Sequence, residues 1–385
     1  MPETPDVFSA DFYITPEIWP FRPVKDLRET LQFSTDVIRT FESETRISRR
    51  GARQSLSFSY TIRDPRLAKM EAKLRRRPLG DWLVPVWHDA TLIASTVPGQ
   101  TVVAVDTQAD YRVGGYAAFW SACDRVQLRR VEAIGAGSIT ISHPLDVVSG
   151  SAFVAPGRIA FLADGIGGSR IRERSGISTV DVEFIVRDNV DLSATDFVQY
   201  LGRDLVTKCG TLEALSFAVS PDIALVDSDL GSIGREMSRD PIDGRFSLMW
   251  RMDREKLWQA RRWLHYIRGR DRPFWLADWQ KDFRLAAPIA AADTTILVEP
   301  ITASPGELIG SHILIDDGVR SPRQITAATT SGGNHLLAVA PLGRDISSAK
   351  IRRMRLVRLD ADVIEISHRI GFYSEVRLPM IEVAE

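Results

Sequence analysis

The chain has 385 residues, enough for two or three domains at roughly 100–200 residues each. Lys+Arg number 49 and Asp+Glu 50, a formal net charge of −1 that argues against nucleic acid as the main partner, because phosphate binding takes a net basic surface. No apolar run approaches the roughly 18 residues of a membrane helix, and Met1-Pro2-Glu3-Thr4-Pro5-Asp6 lacks the basic-then-apolar form of a signal peptide, so the expectation is a cytoplasmic start with no membrane insertion.

In chain order, Ser55-Leu56-Ser57-Phe58-Ser59-Tyr60 comes first and alternates polar with apolar, the period of a half-buried strand. Asp64-Pro65 predicts a helix start, with Asp64 as the cap and proline at the first helical position. Leu67, Met70 and Leu74 then share one helical face. Trp82-Leu83-Val84-Pro85-Val86-Trp87 reads as an aromatic strand, and residues 101–106 as another. Residues 125–134, the glycine-bearing stretch 135–138 and residues 139–145 read as strand, tight turn and strand. Val180, Val182, Phe184 and Val186 mark an alternating closing strand. Residues 191–201 predict a short helix capped by Ser193 or Thr195.

The second half repeats this order. Phe246-Ser247-Leu248-Met249-Trp250 is its strand, Asp253 its helix cap, and Leu257, Ala260, Leu264 and Ile267 its apolar helix face. Arg268-Gly269-Arg270 ends the helix, glycine supplying the left-handed turn. Phe274-Trp275-Leu276-Ala277-Asp278-Trp279 matches the first aromatic strand at a shift of 192, which places Trp87 on Trp279. Residues 294–299 match 101–106, residues 323–342 match the turn-linked pair, and both copies of that pair end in Pro-Leu, at 144–145 and 341–342. Val376, Leu378 and Met380 close the second copy. Agreement of this many features in order and spacing implies a tandem duplication.

The predicted fold is therefore mainly β (α+β): two copies of a β-sandwich or barrel module, each with one flanking helix and an inserted small β-hairpin subdomain. The predicted boundaries are an N-terminal arm at 1–24, module one at 25–190 with its insert at about 97–155, a bridge at 191–220, and module two at 221–385 with its insert at about 290–350. Trp82, Trp87, Trp275, Trp279, Trp250 and Trp263 are candidate core or interface residues; the rival reading of the Trp-rich strands is a sugar-binding platform.

The chain offers little chemistry at sequence level. Six histidines (88, 143, 265, 312, 335 and 368) include no i, i+4 pair and none at ligand spacing from Cys123 or Cys209, so no metal or cofactor is expected and both cysteines read as buried thiols. Asp164-Gly165-Ile166-Gly167-Gly168-Ser169 lacks the Gly-Lys-Ser/Thr ending of a phosphate loop and reads as a flexible turn. Asp316-Asp317 and Asp360-Ala361-Asp362 are candidate carboxylate pairs, the first also a hairpin turn through Asp317-Gly318. No Gly-x-Ser-x-Gly elbow and no copy-specific cluster of acids, bases or nucleophiles stands out, so no catalytic residue is expected. The arginine-rich stretches at 46–53, 75–77 and 261–272 read as solvated faces or subunit salt bridges.

Several of these segments resemble a family of bacteriophage tail virion proteins. The resemblance rests on Trp19-Pro20 before Glu29-Thr30-Leu31-Gln32-Phe33-Ser34-Thr35-Asp36-Val37, on the Arg49–Phe58 stretch, on Pro85-Val86-Trp87, and on Arg268-Gly269-Arg270 with Phe274-Trp275-Leu276 and Trp279. Ala277 stands where a proline is expected before Asp278. The resemblance implies a structural part of the distal tail or baseplate of a long-tailed phage, located in the virion. Implied partners are the tail tube, tape-measure, hub and fibre proteins, with DNA only in transit. The duplication adds the expectation of a homotrimer with pseudo-sixfold symmetry, a homohexamer being the alternative. The rival functions are a carbohydrate-binding module contacting the host surface and an envelope-polymer hydrolase.

Overall fold

The computed structural model describes residues 17–383 except 20, 24, 41–42, 78, 94–96, 98, 122–125, 146–151, 173–175, 208–215, 221–222, 228–232, 238–242, 279–282 and 370–372. Cys123, Cys209 and Trp279 lie outside the described residues. Strands hold 56% of the chain and helices 11%, so the fold is mainly β.

The first half opens with β1 (Glu17–Ile18), then the long hairpin β2 (Lys25–Arg39) and β3 (Glu44–Arg63). Helix α1 (Asp64–Arg76) leads to β4 (Trp82–Pro85), which pairs in parallel with β1. A short turn brings in β5 (Thr91–Ile93), and the insert follows as β6 (Val102–Ala104), β7 (Tyr116–Ser121), β8 (Val126–Gly135) and β9 (Ser138–Ile141). The long bent strand β10 (Ala152–Arg172) pairs with β4, β5 and β7 through its first part and with β11 (Ile177–Val186) through the rest. Strand β11 returns to β3.

The second half follows the same plan. After β12 (Gln199–Tyr200), strand β13 (Arg203–Val206) takes the place of β1, lying parallel to a Trp strand. Strand β14 (Ser216–Ser220) precedes a small hairpin, β15 (Ile223–Val226) with β16 (Gly234–Met237), and pairs with β17 (Asp243–Met252). Helix α2 (Arg254–Ile267) leads to that Trp strand, β18 (Phe274–Ala277). The insert holds β19 (Thr295–Val298), the capped turn α3 (Pro305–Leu308), β20 (His312–Asp316), β21 (Arg320–Gln324), β22 (Ala327–Ser331) and β23 (Asn334–Ala338). Strands β24 (Lys350–Leu359), β25 (Val363–Arg369) and β26 (Tyr373–Glu382) finish the chain.

The main pairings correspond between the halves. Strand β24 bonds β18 and β20 as β10 bonds β4 and β7, and β26 bonds β17 as β11 bonds β3. Each insert has its own apolar core, one around Val103, Val131 and Val154, the other around Ile296, Ile313 and Leu337. Even the Pro-Leu ends are held alike: Arg129 donates to the Pro144 carbonyl (3.1 Å) and Arg323 to that of Pro341 (2.9 Å).

Four details differ from the sequence reading. In helix α1 Asp64 is already helical and Arg63 holds the N-cap position with no side-chain capping bond, whereas Asp253 does cap α2 by accepting from the Lys256 amide at 3.0 Å. Residues 191–201 form no helix, because Ser193 N bonds Asp191 and Phe197 N bonds Thr195, local side-chain bonds that compete with a helical ladder. Residues 17–19 belong to the first module rather than to an arm, since β1 is paired and Trp19 is fully buried in its core. Residues 164–169 are extended strand within β10, with a register shift between Leu162 and Ile166, because β11 supplies a partner that local sequence does not reveal.

The modules meet through β2, which bonds β3 on one edge and β25 on the other. An antiparallel ribbon thus runs β10–β11–β3–β2–β25–β26–β17–β14 across both halves. Alternation along β2 buries Leu27, Leu31 and Phe33 on one face, and their positions along the strand place Leu27 in the first core and Leu31 and Phe33 in the second. Leu31→Ala should therefore cost about 2–5 kcal/mol, and urea unfolding followed by fluorescence should stay a single transition at lower midpoint. Two separated transitions would show that the shared strand does not couple the modules.

Candidate functional site

Glu29 lies in phase with Leu27 and Leu31 on β2, so the pleat that buries those leucines also buries its carboxylate completely. A buried charge costs several kcal/mol unless paired. Its partner is Arg261, fully buried on the core face of α2 four residues after Leu257. Arg261 donates to Glu29 Oε2 from Nε (3.1 Å) and Nη2 (2.8 Å), and from Nη1 to Asp89 (3.2 Å). Asp89 and His88 come from the 3-10 turn Trp87–Asp89 that follows β4. Asp89 also accepts from the Asp110 amide (3.1 Å), and the Asp110 carboxylate is held by Arg112 and the fully buried Arg158. A chain of ion pairs and one backbone hydrogen bond therefore joins the first insert, the first module and the second module.

Two histidines complete the cluster. The His88 and His368 rings stack at 3.8 Å with planes 5° apart. His88 Nε2 lies 2.8 Å from Arg261 Nη2 and 3.3 Å from Glu29 Oε2. His368 Nε2 is 3.5 Å from Glu29, and its Nδ1 is 2.7 Å from Ser374 Oγ, its direct cross-strand partner on β26.

The electrostatics favour the ionised carboxylates and the neutral imidazole. Burial pushes Glu29 up, but Arg261, His368 and His88 outweigh it and hold the carboxyl well below its usual range. Burial works against Asp110 too, yet Arg158 and Arg112 bring it down to about 2. Burial, then the charge of His88, pulls His368 down to about 4.

Three chemistries can be weighed. Glu29, His88 and His368 place their ligand atoms within 4.8 Å of one another, close enough for one metal ion. The guanidinium of Arg261 already stands 2.8 Å from two of those atoms, so a cation would have to displace a buried like charge. Ser374, His368 and Glu29 also lie in the order of a nucleophile, base and orienting acid, and His88, His368 and Ser374 line a cavity of about 300 Å³. A triad needs an imidazole whose protonated form is stabilised, with a pKa near the working pH. Here burial and His88 disfavour imidazolium, Glu29 is committed to Arg261, and no carboxylate lines the cavity among the described residues. The arrangement is suited to locking two modules together and poorly suited to proton transfer.

Five of the six candidate tryptophans, Trp82, Trp87, Trp250, Trp263 and Trp275, are internal. Trp82 packs edge-on to Trp19 at 5.3 Å, Trp87 to Trp120 at 5.0 Å, and Trp250 lies 5.1 Å from Trp263, whose indole donates to Asp204 (3.0 Å). Trp275 is buried 4.4 Å from the His312 ring. These five present no exposed platform for a sugar ring.

The sequence reading found no copy-specific ionisable cluster, and the structure corrects it: Glu29, His88, Asp89, Arg261 and His368 converge from four separate segments. The available signals were a glutamate in phase with leucines on β2 and an arginine beside Ala260 on an apolar helix face. Nor is the 261–272 stretch simply solvated. Arg261 is buried, and Arg270 donates twice to Asp362. Asp362 also accepts from the Thr35 amide, so it ties β2 to the end of α2 and does not pair with Asp360 as an acid/base couple. Asp317 binds Arg344 beside the hairpin turn rather than facing a cation.

Scanning protein-family models against the chain gives no match, and a search of curated proteins gives none either.

Arg261→Ala should cost about 3–5 kcal/mol by leaving buried carboxylates unpaired, and Arg261→Lys should recover little of it, because an ammonium lacks the fork that reaches both acids. Between pH 6.5 and 4 the unfolded state binds a proton at His368 that the folded state refuses, so stability should fall as pH drops through that window and level off near 4 from this group. His368→Gln should flatten the slope of urea midpoint against pH there; an unchanged slope would remove His368 as its source.

Proposed function

We propose that the chain is a non-enzymatic structural component of the tail tip or baseplate of a long-tailed phage, closing the tail tube and linking it to hub or fibre proteins. One observation carries this reading: two like modules are joined edge to edge through β2 into a single ribbon. A sheet edge is a row of unsatisfied donors and acceptors that another strand can complete. Modules that already join this way inside one chain supply the contact from which rings are made, provided the rotation closes. Three chains bring six modules to such a ring, which would match a threefold tip to a sixfold tube. The near-zero net charge suits a channel through which DNA slips without sticking. The inserts, each with a core of its own, are the parts free to vary toward tape-measure, hub or fibre neighbours.

Hydrolysis of an envelope polymer is the second reading, favoured by the Ser374–His368 contact beside the cavity. The pKa of His368 weighs against it.

Mass photometry of the purified protein should give a species of three chains, and negative-stain images should show rings. A stable hexamer of chains would replace the trimer, and a monomer in assembled particles would remove the ring altogether. A serine-reactive fluorophosphonate should leave Ser374 unlabelled; labelling abolished by Ser374→Ala would instead establish the hydrolase.

A further inference from the structure

We infer that the distal part of β10 and strand β14 are the two halves of one self-contact, through which a second copy of the chain continues the ribbon in the register of the internal β25–β2 seam. The inference rests on the assembly reading above and supplies its contact.

The argument comes from register. Strand β11 pairs with β3 as β26 pairs with β17, with Phe184 opposite Leu56 and Met380 opposite Phe246. Opposite Val180 of β11 stands Gly168 of β10; opposite the matching Val376 of β26 stands Ile366 of β25. Residues 166–169 of β10 thus occupy the place of residues 364–367 of β25. On the far side, Leu56 faces Glu29 of β2, and the matching Phe246 faces Phe217 of β14. Residues 216–219 of β14 thus occupy the place of residues 28–31 of β2.

Within the chain, the equivalents of these edges are bonded to each other. Ile366 pairs with Glu29, Ser367 with Arg28 and Ile364 with Leu31. Carried across, the same ladder sets Gly168 opposite Phe217, Ser169 opposite Ser216, Gly167 opposite Ala218 and Ile166 opposite Val219. Among the described residues, the distal part of β10 bonds only β11, and β14 bonds only β17. They lie at opposite ends of the ribbon and do not meet in one chain, so a second copy must bring the missing strand. The contact joins two different edges, which repeats head to tail and closes into a ring or continues as a filament. Phe217 stands where Glu29 stands inside the chain, so the seam between chains lacks the buried carboxylate that Arg261 locks.

Cysteine pairs test the register in the full chain with Cys123→Ser and Cys209→Ser. Two double variants are made, Ser169→Cys with Ser216→Cys and Gly168→Cys with Phe217→Cys. Adjacent pairs of an antiparallel ladder alternate between Cα separations of about 5.5 and 4.5 Å, both within disulfide reach, so at least one pair should close. Arg28→Cys with Ser367→Cys is the internal control and should close within one chain. Mild oxidation should give reducible covalent multimers up to the number of chains in the native mass, at least tenfold above each single-cysteine variant. Should a double variant lose the native near-UV circular dichroism, mixing its two single variants tests the same contact and should yield covalent dimers only in the mixture. A native multimer with no cross-link in either pair would overturn the inferred register and leave the assembly reading standing. A monomer at every concentration, with no cross-link, would overturn both.

Discussion

Strand β2 has two edges and each belongs to a different module. Backbone donors and acceptors removed from water must be bonded, so a strand placed between two sheets forces both to be present before either is complete. Its side chains obey the same constraint, with Leu27 filling one core and Leu31 and Phe33 the other. Glu29 then stands between them as a charge with no water to solvate it. Arg261, delivered from the far module by α2, satisfies that charge, and its own burial is offset by Glu29 and Asp89 together. Removing either side strands the other, which makes the junction all-or-none.

That junction breaks the equivalence of two otherwise matching halves. The repeat governs strand order, pairing partners, parallel Trp strands and insert hairpins. The chain of ion pairs and one backbone hydrogen bond from Arg112 through Asp110, Asp89 and Arg261 to Glu29 occurs at the meeting of the halves, where identical surfaces would not define which edge meets which. Buried ion pairs contribute little net stability against apolar replacements, but a wrong pairing leaves charges uncompensated, so they discriminate between registers. The Asp362 clamp on Thr35 and Arg270 serves the same alignment at the other end of the seam. Gly269 permits it: at φ +64°, an added Cβ would stand 2.6 Å from Asp362 Oδ1.

Convergent ionisable groups in a protein interior invite a catalytic reading, and the distinction here is energetic. A catalytic base is kept ready to accept a proton, whereas at His368 burial and the charges of His88 and Arg261 outweigh the nearby Glu29 and hold its pKa down. A metal site keeps its donors facing an open position, whereas Arg261 fills this one. Its ionised groups are balanced against one another.

The local patterns in the sequence were enough for the mainly β class, the strand–helix–strand order and the doubling, because alternation, caps and turn residues act over a few neighbours. Phe58, Met70, Val182 and Leu264 are buried as their periodicity requires. Residues 164–169 became strand through a partner, β11, that lies outside the local window, whereas residues 191–201 failed to become helix because Asp191 and Thr195 side chains bond nearby amides instead. The cluster of Glu29, His88, Asp89, Arg261 and His368 was decided by tertiary structure alone. Its members are separated by up to 339 positions, and only the folding of β2 between two modules brings them within hydrogen-bonding range. Sequence sets which face of an element is apolar; which faces meet, and hence which charges must neutralise each other, depends on how the whole chain closes.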